Sequence, residues 1–186
     1  IARSGAGMEN IDEKFTSSRN ITLFNAPEGN RTAVAEHALG MLLALFNQLK
    51  KGDFEVRQGI WDRGGNRGLE LTGKTVGIIG YGNNGKAFAK VLQGFDCTIL
   101  VYDKYKTINL SENVKQVSLE EVYEKSEVIS FHIPQNEETI FWADDDFFKS
   151  VRNPFFLINL SRGKIVNTEA LMDAIESKKV RGAVLD

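Results

Sequence analysis

The side chains able to do chemistry in this chain stand at a few points, and the first is a run of glycines with an acid behind it. Gly80-x-Gly82-x-x-Gly85 follows the apolar run Val76-Gly77-Ile78-Ile79, and a helical segment, Lys86 to Leu92, follows the glycines. A second apolar run, Thr98 to Tyr102, ends on Asp103. Together these form the fingerprint of a dinucleotide-binding βαβ unit. Gly80 would allow the tight turn, Gly82 would let backbone approach a pyrophosphate, and Gly85 would let the helix pack closely on the strand. The pyrophosphate would lie at the helix N-terminus, where unpaired N–H groups and the dipole favour anions. A carboxylate at the end of the second strand accepts hydrogen bonds from both ribose hydroxyls and repels a 2′-phosphate. Asp103 therefore favours NAD over NADP.

In open α/β sheets ligands sit beyond the carboxyl ends of the strands. Other polar strand ends here are His132-Ile133-Pro134, Asn159-Leu160-Ser161-Arg162-Gly163 and Asp186. Arg162 is the one that suggests catalysis. An arginine just past a buried strand can aim its fork at a carboxylate or a polarised carbonyl. Its spacing alone favours an ordinary surface arginine. His132 reads as a neutral histidine lining the cofactor cleft without moving protons. His37 reads as structural, on a buried helix. Three adjacent acids, Asp144-Asp145-Asp146, converge poorly on one ion and suit the opening of a helix, so no metal site is expected.

These residues need elements to position them, and the pattern supplies an alternation. Ser118-Leu119-Glu120-Glu121 has capping-box spacing and opens a helix to about Lys125. Val128 to His132 reads as a strand closed by Pro134, Asp144 to Ser150 as a helix, and Phe155 to Leu160 as a strand. Thr168 to Lys178 is helical, with Leu171, Ala174 and Ile175 on one face, and Gly182 to Leu185 is the last strand. Near-continuous apolar strands alternating with helices indicate a parallel sheet covered on both faces, and right-handed crossovers give a doubly wound Rossmann fold. Ahead of the fingerprint, Thr32 to Leu49 carries Val34, Ala38, Leu42, Leu45 and Leu49 at helical spacing. Met41, Leu43 and Phe46 widen that face almost all round, which predicts a helix buried on more than one side. A Gly-rich loop, residues 61–70, precedes the first sheet strand.

The 186 residues suit one large domain, or one domain plus a fragment. A hydrophobic fraction of 42% supports a sizeable core, and a net charge of −2 gives no reason to propose nucleic acid or an acidic membrane surface as partner. No run approaches the roughly 18–20 apolar residues that span a bilayer. The single cysteine, Cys97, lies in an apolar stretch and fits a buried thiol in a reducing compartment, the cytoplasm. The chain begins on Ile1 and stops in an apolar strand at Asp186, which reads as a piece of something longer.

Several motifs now combine. Gly5-Ala6-Gly7-Met8-Glu9-Asn10-Ile11-Asp12 has the form Gly-x-Gly-x-x-Asn-x-Asp. Asn25-Ala26-Pro27 precedes Ala33-Val34-Ala35-Glu36, Gly73-Lys74-Thr75-Val76-Gly77 leads into the fingerprint, and Asn159 to Asn167 surrounds Arg162. With these the whole chain resembles the D-isomer-specific 2-hydroxyacid dehydrogenases. The resemblance implies that residues 1–24 are the remnant of a flavodoxin-like substrate domain and that 25–186 form an NAD-binding domain truncated at its C-terminal end. It implies that Arg162 orients the substrate carboxylate and polarises its carbonyl, and that Asp103 holds the adenosine ribose. By the same resemblance Asn83 and Asn84 meet the pyrophosphate through backbone N–H groups, and His132, Ile133, Leu160 and Ser161 line the cofactor cleft. Asp186 would contact the nicotinamide amide, and Ala6 would stand where the first domain meets cofactor and substrate. Asn84 departs from the family, which has an apolar residue there.

The implied reaction is NAD-dependent oxidation of a D-2-hydroxy acid, with D-3-phosphoglycerate, oxidised in serine synthesis, as the leading substrate. Glyoxylate, hydroxypyruvate and D-lactate reductases share every motif, and a non-catalytic NAD-sensing regulator is the reading from another class. The family's acid/base histidine and its glutamate lie past the position of Asp186, so the chain is expected to bind NAD(H) without turning over. The 32–49 helix and the Trp61 loop imply a homodimer.

Overall fold

The computed structural model describes residues 1–106 and 113–186. The chain opens with β1 (Ala2–Arg3), α1 (Glu13–Ser18) and β2 (Phe24–Asn25), followed by α2 (Arg31–Phe46) and α3 (Leu49–Arg57). Then come β3 (Thr75–Ile79), α4 (Asn83–Leu92), β4 (Thr98–Tyr102), β5 (Val114–Gln116), α5 (Leu119–Lys125) and β6 (Val128–Phe131). The last elements are α6 (Asp145–Ser150), β7 (Phe155–Asn159), α7 (Thr168–Glu176) and β8 (Val180–Leu185).

Six strands make one all-parallel sheet in the order β5-β4-β3-β6-β7-β8. This is the doubly wound order with its reversal between β3 and β6, and ligands bind in the crevice beyond such a reversal. The strands can lie in the middle layer because they are apolar on both faces. Val76, Ile78, Ile99, Val101 and Val128 belong to one core, with Phe88 and Leu92 of α4 and Leu42 and Phe46 of α2. Ile79, Leu100, Ile129, Phe131 and Leu157 belong to the other, with Val122, Phe147 and Leu171 from α5, α6 and α7. On α4 the buried positions Gly85, Phe88, Ala89 and Leu92 follow a single helical face. Burying Phe88 and Leu92 contributes about 2 kcal/mol each. A separate two-stranded sheet pairs β1 with β2 in parallel.

The helix starts are set by the expected side chains. Ser118 Oγ accepts from the Glu121 N–H at 3.2 Å, and Asp144 Oδ1 accepts from the N–H groups of Asp146 and Phe147 at 3.0 Å each. The acidic run thus caps α6, and Asn167 does the same for α7. Cys97 is buried, its thiol donates to the Leu92 carbonyl, and burial raises its pKa.

Three expectations are corrected. The helix read as Thr32–Leu49 ends at Phe46, because Gln48 adopts a left-handed conformation (φ 50°) and the Asn47 amide turns back to the Leu43 carbonyl. Leu49 starts α3 instead and is 60% exposed. Only one stripe of α2 is buried, Ala35, Ala38, Leu42 and Phe46, and His37 is on the exposed side. The last strand starts at Val180, two residues before the expected Gly182. The short elements β1, α1, β2, α3 and β5 lack a periodic apolar stripe. α3 buries no residue and is tied by Arg57–Asp53 and Lys51–Glu55 ion pairs. Among the described residues no helix is long and apolar enough to cross a membrane.

Candidate active site

The glycine turn sits at the sheet reversal. Gly80 has φ +94°, a region that favours glycine, and a Cβ there would stand 2.5 Å from the His132 carbonyl oxygen at the end of β6. The turn therefore presses against the neighbouring strand end. A Cβ on Gly85 would stand 2.1 Å from the Gly80 carbonyl oxygen, so the first turn of α4 rests directly on the loop. At Gly82 a Cβ would meet nothing within 4 Å among the described residues. Among the described residues no side chain caps α4, which leaves its first N–H groups, including those of Asn83 and Asn84, for an anion.

Asp103 follows β4 and reaches the same turn. Its Oδ2 accepts from the Tyr81 N–H at 2.8 Å and its Oδ1 from the Tyr105 N–H at 3.0 Å. The carboxylate therefore both braces the glycine loop and borders a cavity of about 220 Å³ together with Gly80, Gly82, Ile133 and Trp142. Glu138 closes one side of that cavity, pairing with Lys104 Nζ at 2.6 Å and accepting from the Tyr105 hydroxyl at 3.1 Å.

His132 and Ile133 follow β6 and wall both this cavity and a larger one of about 810 Å³. One nitrogen of His132, Nε2, lies 2.8 Å from Ser130 Oγ, and its ring packs at 5.3 Å from Phe88. Burial pushes its pKa down to about 4. His132 is therefore neutral at physiological pH.

The larger cavity brings together Ala6, Asn83, Asn84, Leu160, Ser161 and Arg162. The loop that presents Arg162 is fixed from beneath by buried Asn159, whose Nδ2 donates to the Arg162 carbonyl at 2.9 Å while its Oδ1 accepts from the Ser161 N–H at 3.2 Å. Ser161 Oγ donates to the Phe131 carbonyl at 2.7 Å and ties the loop to β6. The arginine's Nη1 donates to the Ser161 carbonyl and its Nε to Glu9 Oε1, both at 2.6 Å. This pair holds the Glu9 carboxyl below the usual carboxylate range. Asp186 lies past β8, exposed, with its N–H on the Asn159 carbonyl at 3.2 Å, and it borders neither cavity.

Glu9, Gly7, Asn159 and Glu138 carry no assigned role in the sequence reading. Asn159 stands at a strand end and Glu9 and Gly7 lie inside the quoted 5–12 motif, but nothing in the spacing of Glu9 and Gly7 announces a partner more than a hundred residues away. Asn84, the departure from the apolar pattern, has a buried Oδ1 without a partner among the described residues, at the wall of the larger cavity. Among the described residues no group of three metal-binding side chains comes together.

Fold and site define a Rossmann-type dinucleotide-binding domain with an arginine aimed into the crevice. The profile of the D-isomer specific 2-hydroxyacid dehydrogenases, NAD binding domain, matches residues 39–186, and the chain belongs to this family of NAD-dependent oxidoreductases. D-3-phosphoglycerate dehydrogenase of Archaeoglobus fulgidus is 36% identical over 188 residues, which span 100% of this chain and 36% of that protein. Glyoxylate reductase of Pyrococcus furiosus is 34% identical over 195 residues, 100% of this chain and 58% of that one. The structure of NAD-dependent formate dehydrogenase from Staphylococcus aureus in complex with NAD has a TM-score of 0.89 at 33% identity, covering 100% of this chain and 56% of that chain. The chain thus spans between about a third and three fifths of these relatives. The cofactor is NAD, and the glycine cradle, the uncapped α4 and Asp103 fit it.

Proposed function

We propose that this chain is the NAD(H)-binding part of a dehydrogenase that oxidises D-3-phosphoglycerate to 3-phosphohydroxypyruvate. The observation that carries the reading is Arg162, held by Asn159 and Ser161 at the edge of the cavity that also contains the N-terminus of α4. Bound NAD supplies the hydride acceptor. The first N–H groups of α4 bind the pyrophosphate, and Asp103 receives the ribose hydroxyls. His132, Ile133, Leu160 and Ser161 wall the cleft and exclude water, and the family resemblance gives the nicotinamide amide to Asp186, which stands outside both cavities. Arg162 grips the substrate carboxylate and polarises the neighbouring carbonyl oxygen.

Proton transfer to or from that oxygen needs a further group. The chain has two histidines. His37 is exposed on α2, and His132 is held neutral against Ser130. By the family resemblance we read residues 1–24 as part of a substrate domain and 25–186 as the NAD-binding domain, and the state of the two histidines supports a chain that binds NAD(H) without turning over alone. On α3 and just beyond it, Phe54, Val56 and Trp61 are 63, 62 and 85% exposed, an apolar surface that supports a homodimer. The buried Cys97 thiol supports a reducing compartment, the cytoplasm.

A second reading, a reductase of small 2-oxo acids such as glyoxylate, hydroxypyruvate or pyruvate, is favoured by the charges around the larger cavity. Glu9, Asp12 and Glu13 stand there against Lys14 and Arg162, a balance that suits a small monoanion better than a phosphorylated acid. The deciding experiment assays the full reading frame that carries this chain with D-3-phosphoglycerate, glyoxylate, hydroxypyruvate and D-lactate, beside an NADH titration of the 186 residues. Highest kcat/KM for D-3-phosphoglycerate supports the first reading, and highest kcat/KM for a small 2-oxo acid replaces it with the second. Failure of the chain to bind NADH overturns both.

A further inference from the structure

We infer that Glu9 is an affinity-setting residue of the substrate site: it occupies the carboxylate-binding edge of Arg162 and must be displaced before a 2-hydroxy or 2-oxo acid docks. The inference rests on the proposed role of Arg162 as the carboxylate's anchor.

A guanidinium grips a carboxylate through two parallel N–H groups. Arg162 offers two such edges, Nε with Nη2 and Nη1 with Nη2. Nη1 already donates to the Ser161 carbonyl at 2.6 Å, within the loop that positions the arginine. The other edge is held by Glu9, whose Oε1 accepts from Nε at 2.6 Å. Nη2 and Glu9 Oε2 nest together over Gly7, where a Cβ would stand 2.0 Å from the one and 2.3 Å from the other. A glycine at position 7 therefore makes room for the pair. The Nε edge is thus already taken by a carboxylate and Nη1 by a carbonyl, and two carboxylates crowded on one edge repel. Binding of an acid is then an exchange of one carboxylate for another.

The exchange is easy because the pair is half open to water. The side chains of Arg162 and Glu9 are 38% and 40% exposed, so a released Glu9 is resolvated at once. Only its side chain has to swing. The backbone on either side is pinned by the Ile11 N–H on the Met8 carbonyl and by Asp12, which caps α1. Until it is displaced, Glu9 keeps the guanidinium aimed into the cleft, a contact between residues 153 positions apart.

The test titrates NADH-loaded chain with pyruvate by calorimetry at neutral pH, comparing wild type with Glu9→Gln, Glu9→Ala and Arg162→Lys. Removing the built-in competitor should tighten pyruvate binding about five- to tenfold in both Glu9 variants, the size of a half-exposed, charge-assisted pair. Unchanged circular dichroism and melting of the variants show that the fold is intact. Glu9 variants that bind pyruvate no better than wild type, while Arg162→Lys abolishes binding, overturn the inference and leave the role of Arg162 standing. Pyruvate binding that survives Arg162→Lys undiminished removes the role of Arg162, and the inference with it.

Discussion

Acid should loosen this fold through His132 in a window set by its own environment. Its pKa falls from 6.5 in the unfolded chain to about 4 in the folded one. Between these values the unfolded chain binds the proton that the folded chain refuses, so stability rises with pH across the window and is lost as pH falls through it. Integrating that difference, the folded state loses about 2 kcal/mol between about pH 7 and pH 5. Water in the crevice that the ring borders makes this an upper bound. For a chain of this size it corresponds to a fall in Tm of roughly 4–8 °C. His132→Gln keeps a polar group near Ser130 Oγ and removes the titration. Urea unfolding of both proteins at a series of pH values between about 7 and 5 measures the difference in slope. Parallel slopes, differing by less than about 0.5 kcal/mol across the range, would refute the account of His132 as a histidine held neutral by burial.

Other perturbations test the cradle and the apolar surface. Gly85→Ala puts a Cβ against the Gly80 carbonyl oxygen at 2.1 Å. Overpacking against backbone should cost about 1–3 kcal/mol in urea unfolding and weaken NADH at least tenfold by calorimetry. Asp103→Ala removes the acceptor for the Tyr81 and Tyr105 N–H groups. A loss of about 1–2 kcal/mol in urea unfolding is expected, with fluorescence titration showing NADH affinity falling more than NADPH affinity. Phe54→Ser combined with Trp61→Ser should shift the protein toward monomer in sedimentation velocity, with little change in melting, since both side chains are already exposed.

The sequence by itself determined the parts of this protein whose causes are local. Apolar runs long enough to be buried on both faces defined the central strands, and capping residues such as Ser118 and Asp144 defined where helices begin, because each acts within a turn of its own position. The glycine fingerprint was legible for the same reason: Gly80, Gly85 and Asp103 answer to one turn and the strand beside it. Elements without a buried stripe, such as α3, escaped notice, since their stabilising contacts are polar pairs and exposed apolar side chains that leave no period. The extent of α2 misled because apolar residues all round a helix signal burial, whereas the helix stops before the left-handed Gln48 and buries a single stripe, with His37 on the other side. The sequence singled out Arg162 from its strand-end motif, and the tertiary structure decided what its guanidinium meets. Asn159 and Ser161 fix its loop, Gly7 clears a space for its guanidinium, and Glu9 meets it across the cleft. Gly7 and Glu9 lie at the other end of the chain from Arg162, and a charge pair gains its energy from proximity in space, which sequence spacing does not encode.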